Sequence, residues 1–182
     1  MAIQLILGGA RSGKSHYAEQ QAQLWLAEYP SSQLHYVATA TACDLEMQAR
    51  IAHHQQQRGQ GWLEHEEPLA LAQLFTQFSE HDIVLVDCLT LWLNNVIYND
   101  GQVLNKKQIE QQLDQLLAVL KCSKARIVLV SNEVGMGIVP LGEVSRLFVD
   151  YAGWMNQAMA KVAQRVVFIC AGLPLILKDN NG

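Results

Sequence analysis

The chain has 182 residues, half of them hydrophobic, and a formal net charge of −4. That length and apolar content suit one domain, residues 1–182, with a full core, and the acidic balance excludes a broad nucleic-acid or anionic-membrane surface, which needs a basic face. The apolar runs are too short to span a membrane and no basic leader precedes the first strand, so a cytoplasmic protein is expected.

The first apolar run, residues 3–7, predicts a strand, and Gly8-Gly9-Ala10-Arg11-Ser12-Gly13-Lys14-Ser15 follows it directly. This is a complete Walker A pattern, succeeded by a helix-forming stretch from His16. Its glycines let backbone N–H groups curl around phosphates, Lys14 reaches the β and γ oxygens, and the Ser15 hydroxyl can hold Mg²⁺. A helix starting at the loop adds its positive dipole end. Further β-type runs at 34–39, 83–87, 126–131 and 165–171 are separated by helix-length segments, which predicts a mainly parallel sheet covered by helices. The runs at 83–86 and 127–130 are apolar throughout, as central strands buried on both faces must be.

After Asn105, the residues Ile109, Leu113, Leu116, Leu117 and Leu120 form one helical stripe opposite Lys and Gln, which predicts a surface helix packed on the sheet. A second helix is expected over 143–163, where Val144, Leu147, Phe148, Tyr151, Met155 and Met159 keep helical spacing. Trp154 falls off that stripe, where it is available to a partner subunit. The tail at 173–178 follows the Gly172 turn signal and is expected to return as a short antiparallel edge strand, where Pro174 is tolerated. Cys43, Cys88, Cys122 and Cys170 form no CxxC pair and read as reduced thiols.

Two carboxylates end predicted strands. Asp87 stands where P-loop proteins place a metal-binding acid, although the same position suits a cap on the next helix. Glu133, after Ser131 and Asn132, is placed either to orient a nucleophile or hold a magnesium-bound water, or to sit as a solvated loop residue; ligands of parallel sheets bind outside these carboxyl ends. Residues 44–54 carry His53 and His54. On a helix, Glu46, Arg50, His53 and Gln57 share a polar stripe, while Met47, Ile51 and His54 lie about 100° away. Glu46 can pair with Arg50 at the favourable spacing and fix it beside His53. Adjacent histidines on a helix point apart and chelate one metal poorly. They read either as ordinary histidines or, beside a nucleotide, as a source of an imidazole nucleophile toward phosphorus.

Taken in order, GGARSGKS, VATA, EMQARIAHH, VDCLTLWLNN and SNEVGMGIVP resemble the bifunctional adenosylcobinamide kinase / adenosylcobinamide-phosphate guanylyltransferase family across nearly the whole chain. The resemblance implies a RecA-like P-loop fold, a homotrimer, and two reactions on a corrinoid substrate. ATP or GTP phosphorylates adenosylcobinamide, and GMP from GTP is then transferred to the phosphate through a guanylyl-histidine. The family's nucleophile matches His53. By the same resemblance Ala38, Thr39, Ala40, His54, Gln55, Gln56 and Gln57 line the nucleotide, Glu66 reads guanine, and Ser15 with Asp87 holds Mg²⁺. The family pattern implies arginines where Val149 and Trp154 stand, so this chain departs from it there. Two other functions fit the P-loop: a monofunctional small-molecule kinase with no use for His53, and a regulatory switch that forms no covalent nucleotide.

Overall fold

The computed structural model describes residues 2–40, 61–99 and 101–180. In chain order these form β1 (Ala2–Gly8), α1 (Lys14–Glu28), β2 (Gln33–Ala38), β3 (Trp62–Glu66), α2 (Leu71–Phe75), β4 (Asp82–Asp87), α3 (Leu89–Ile97), β5 (Tyr98–Asn99), β6 (Gln102–Val103), α4 (Lys106–Cys122), β7 (Arg126–Asn132), α5 (Glu143–Val162), β8 (Arg165–Cys170) and β9 (Leu173–Asp179). Seven strands make one sheet in the order β3-β2-β4-β7-β1-β8-β9. All neighbours pair in parallel except the antiparallel edge strand β9 on β8. The expected sheet and its C-terminal edge strand are both present.

Alternation along β1 explains the two layers. Ile3, Leu5 and Leu7 point into a core with α2, α3, α4 and α5, whereas Ile6 points into a smaller core with Ala18 and Ala22 of α1. Small residues on α1 let it lie close to the sheet directly behind the Walker A loop. The stripe on α4 is buried as predicted at Ile109, Leu113, Leu116 and Leu120. Its start is fixed by a capping box in which Asn105 and Gln108 bond each other's backbone N–H groups. On α5 the predicted stripe is buried at Tyr151, Met155 and Met159, while Val144 at the first turn is exposed. At the other end of α5, Lys178 of β9 donates to the carbonyls of Ala160 at 3.0 Å and Ala163 at 2.6 Å, closing the helix C-terminus with a cation from another element.

Toward the open edge, three ionisable side chains join β2, β3 and β4. Asp82 Oδ2 accepts the Ser79 N–H at 2.7 Å and hydroxyl at 2.9 Å, and Oδ1 accepts His35 Nε2–H at 3.0 Å. Burial alone would raise the Asp82 carboxyl, but these bonds outweigh it and hold it below its ordinary range. With Nε2–H committed to Asp82, neutral His35 offers Nδ1 as an acceptor, 3.0 Å from His65 Nε2, which therefore carries its proton. Phe78 packs against both rings. Burial, and then repulsion from the His35 ring when that ring carries a proton on both nitrogens, push His65 below its ordinary value of 6.5.

The folded chain thus binds fewer protons at His65 than the unfolded chain as pH drops below 6.5. Its contribution to stability is present above that pH and lost as pH falls through the lower folded value. Asp82 acts in the same direction, below its ordinary 3.8. The melting temperature is therefore expected to fall between pH 7 and pH 5, with a shallower slope in His65→Gln; equal slopes in melts at those pH values would show that His65 does not carry the effect.

Candidate functional site

The C-terminal ends of the central strands form one rim. Register aligns Glu66 of β3, Ala38 of β2, Asp87 of β4 and Val130 of β7 in a single row. Gly8 of β1 pairs with Asn132 and opens the Walker A loop beyond that row. The backbone of the loop explains its glycines. Gly8 is so enclosed that a Cβ would lie 2.7 Å from the Ile169 carbonyl oxygen, and Gly13 has φ +92°, the left-handed conformation that glycine adopts without strain. Arg11 also has a positive φ, of 54°.

Gly9, Ala10 and Ser12 occupy the same loop, and α1 begins at Lys14, which puts Ser15 in its first turn. Lys14 is 8% exposed, and its ammonium donates to the Gly9 carbonyl at 3.1 Å, so the chain carries its cation folded over the loop. The hairpin between β8 and β9 braces the loop from behind, because Gly172 N–H donates to the Ser12 carbonyl at 2.9 Å. Ser12 Oγ is buried without a hydrogen-bond partner among the described residues.

The charges of Asp87 and Lys14 both act on Cys88. Burial, with the Asp87 charge adding to it, pushes the Cys88 thiol up to about 11, and the Lys14 charge opposes that shift. The thiol is therefore protonated and unreactive at neutral pH. Thr39 is fully buried, and its hydroxyl is committed: it donates to the Cys88 carbonyl at 2.7 Å and accepts the Cys88 N–H at 2.9 Å. Asn95 Nδ2 donates to the Thr39 carbonyl at 2.8 Å. Thr39 thus joins the ends of β2 and β4 beside Asp87. Ala38 and Ala40, both half-buried, flank it at the rim.

Glu66 and Glu67 divide two tasks. Glu67 closes the turn that leads into α2, its Oε1 accepting the N–H groups of Leu69 at 3.1 Å and Ala70 at 2.7 Å. Glu66 is exposed at the end of β3, and its carboxylate can accept bonds from a ligand. His53, His54, Gln55, Gln56 and Gln57 lie outside the described residues, as does Cys43.

The sequence did not reveal a closed polar ring beneath the rim. Thr90 and Ser131 hydroxyls are 3.2 Å apart, Ser131 Oγ–H donates to Asn156 Oδ1 at 2.7 Å, Asn156 Nδ2 donates to the Asn132 carbonyl at 3.2 Å, and Asn132 N–H donates to Thr90 Oγ at 2.6 Å. Because Ser131 gives its one proton to Asn156, Thr90 donates to Ser131. Polar residues after an apolar run signalled Ser131 and Asn132, but Thr90 and Asn156 come from separate helices with no local pattern to announce them. Satisfied buried networks of this kind rigidify what they hold, here the end of β7.

Chemically, the rim offers a phosphate-binding loop with a lysine, a hydroxyl at Ser15, a carboxylate at Asp87 and an exposed carboxylate at Glu66. Among the described residues, no group of three His, Cys, Asp or Glu side chains forms a metal cage. Ser15 and Asp87 are instead hard oxygen donors few enough to suit Mg²⁺, which keeps waters and takes substrate phosphates as its remaining ligands. No helix among the described residues is long and apolar enough to cross a membrane.

Residues 4–177 match the family model for cobinamide kinase / cobinamide phosphate guanyltransferase. The bifunctional adenosylcobalamin biosynthesis protein CobP of Pseudomonas aeruginosa is 48% identical over 175 residues, covering 96% of each chain. The bifunctional adenosylcobalamin biosynthesis protein CobU of Escherichia coli is 36% identical over 185 residues, covering 96% of this chain and 98% of that one. In fold, a solved ATPase domain superposes with a TM-score of 0.58 at 11% identity, over all of this chain and 78% of that one. The flagellar accessory protein FlaH of Methanocaldococcus jannaschii gives 0.52 at 17%, over 98% and 79%. The sheet, its loop and these neighbours make the fold a RecA-like P-loop NTPase fold, and the chain belongs to the cobinamide kinase / cobinamide phosphate guanyltransferase family.

Proposed function

We propose that the chain acts as one domain with one nucleotide site serving two reactions in the cytoplasm. It phosphorylates adenosylcobinamide with ATP or GTP, then transfers GMP from GTP to give adenosylcobinamide-GDP and pyrophosphate. The observation that carries this reading is the Walker A loop on the same rim as Asp87 and Glu66, in a chain matched to the family over residues 4–177. In the second reaction a ring nitrogen of His53 bonds the α-phosphorus as pyrophosphate leaves, and a phosphate oxygen of the acceptor then displaces His53. Lys14 and the N–H groups of Gly8, Gly9, Ala10, Arg11, Ser12 and Gly13 stabilise charge on the departing phosphates. Ala38, Thr39 and Ala40, followed by His54, Gln55, Gln56 and Gln57, line the nucleotide, and Glu66 accepts the guanine N1–H and exocyclic amine. Ser15 and Asp87 would hold Mg²⁺, whose chemistry here is to neutralise triphosphate charge.

The working form is a homotrimer. Supporting this are the apolar side chains that β9 leaves exposed at Leu173, Leu175, Ile176 and Leu177, together with Trp154, 56% exposed on α5. An exposed apolar edge strand of this length invites pairing with another chain.

The test is incubation with Mg²⁺ and GTP labelled at the α-phosphate, followed by denaturation. Label is expected to remain on the protein as an acid-labile, alkali-stable adduct, to vanish in His53→Ala and to persist in His54→Ala. A wild type that binds GTP yet takes no label would leave the monofunctional kinase reading in its place.

A further inference from the structure

Glu133 is the carboxylate at the phosphate end of the rim that the two reactions above leave without a task. β7 lies between β1 and β4, so its C-terminal end opens between the Walker A loop and Asp87. Glu133 N–H donates to the Gly8 carbonyl at 3.1 Å, which ties the residue to the first position of the loop. The buried ring of Thr90, Ser131 and Asn156 fixes the strand end just before it.

The side chain is oriented as well. Glu133 Oε1 accepts the Gly135 N–H at 2.8 Å, and a Cβ at position 135 would stand 3.1 Å from that oxygen, a tight contact that glycine avoids. Oε2 has no hydrogen bond among the described residues. A carboxylate steered by one oxygen and open at the other, beside a phosphate loop, has the arrangement a general base needs. Asp87 is the competing group, but a carboxylate engaged with a cation has less electron density to offer a proton.

We propose that Glu133 is the general base of phosphoryl transfer, an inference that rests on the function proposed above. As the acceptor's hydroxyl oxygen bonds the γ-phosphorus, its proton passes to Glu133 Oε2. The bond from the γ-phosphorus to the β–γ bridging oxygen breaks, and its electron pair leaves with the nucleoside diphosphate. Water takes the proton from Glu133 afterwards. Guanylyl transfer needs no such group, because its two nucleophilic atoms, the unprotonated nitrogen of an imidazole and an ionised phosphate oxygen, carry no proton at the point of attack.

Glu133→Gln tests this, since its amide oxygen still accepts the Gly135 N–H while the proton acceptor is gone. Phosphorylation of adenosylcobinamide is expected to lose about 10²–10³-fold in kcat, with the acid limb of the pH–rate profile removed. Nucleotide affinity and the covalent guanylyl label are expected to stay within about threefold of wild type, and Glu133→Asp should recover part of the phosphorylation rate. A Gln variant that phosphorylates within about threefold of wild type, or one that loses label and phosphorylation together, would overturn the assignment. A wild type that takes label without phosphorylating overturns this inference alone; one that does neither overturns the proposed function with it.

Discussion

In Lys14→Met, phosphorylation of the corrinoid and covalent guanylylation are expected to fall together, each by about 10²–10³-fold, the usual loss for removing one donor from a site of developing phosphate charge. The two reactions attack different phosphorus atoms, yet both drive charge onto phosphates that the loop holds. One ammonium at the start of α1 is therefore expected to serve both. Methionine keeps a flexible apolar stem in a position only 8% exposed, so the fold should survive. The bond from Nζ to the Gly9 carbonyl, 3.1 Å, is lost. Two measurements separate chemistry from folding: rates of both reactions, and the shift of melting temperature by GTP, which should shrink with the lost affinity. The contrast with His53→Ala is diagnostic, because that change should remove the label and leave phosphorylation. If Lys14→Met weakened one reaction and spared the other, the idea of a single shared phosphate site would fail.

The Walker A loop was legible because its signals are local. A glycine-rich loop between an apolar run and a helix shows its purpose in eight residues, and apolar runs such as 83–86 and 127–130 mark strands buried on both faces. Segments whose structure depends on neighbours were harder to read. β3 reads Trp62-Leu63-Glu64-His65-Glu66, polar and mostly exposed, and becomes a strand only by pairing with β2. The two short helices α2 and α3 lacked a capping signal; Ala70 and Cys88 at their N-caps make no side-chain cap bond, and the Glu67 carboxylate closes only the turn before α2. The hairpin of β5 and β6 spans two residues on each side and leaves no periodicity to detect.

Residue roles show the same division. The place of Asp87 at a strand end could be read from the apolar run before it, whereas the two bonds that tie the Thr39 hydroxyl to the Cys88 backbone leave no local signal. The Thr39 side chain shapes the rim from beneath. The departures at Val149 and Trp154 fall on α5, away from the Walker A loop in sequence. Trp154 stacks edge-on against Tyr151 with ring centroids 5.0 Å apart. An arginine there would exchange that aromatic contact for a charge, so this face of α5 differs in chemistry from the one the resemblance implies.

The second large effect is expected from Gly8→Ala, a change of one methyl group. Its Cβ would stand 2.5 Å from Ser12 Oγ and 2.7 Å from the Ile169 carbonyl oxygen. Ser12 can rotate away, but Ile169 is backbone in β8, paired with β1 on one side and β9 on the other. Relief therefore requires β1 and β8 to part or the loop to shift off Gly172 N–H, which holds the Ser12 carbonyl at 2.9 Å. Overpacking of this kind costs about 1–3 kcal/mol, and moving the loop also disturbs the N–H groups that meet phosphate. Gly153→Ala provides the opposite case, since nothing lies within 4 Å of its added Cβ and it sits inside α5. There alanine should stabilise by about 0.5–1 kcal/mol through helix propensity. Melting curves and GTP titrations of both variants decide the matter. If Gly8→Ala melted with wild type and bound GTP unchanged, the loop would not be braced by β8, and its position would have to come from the nucleotide itself.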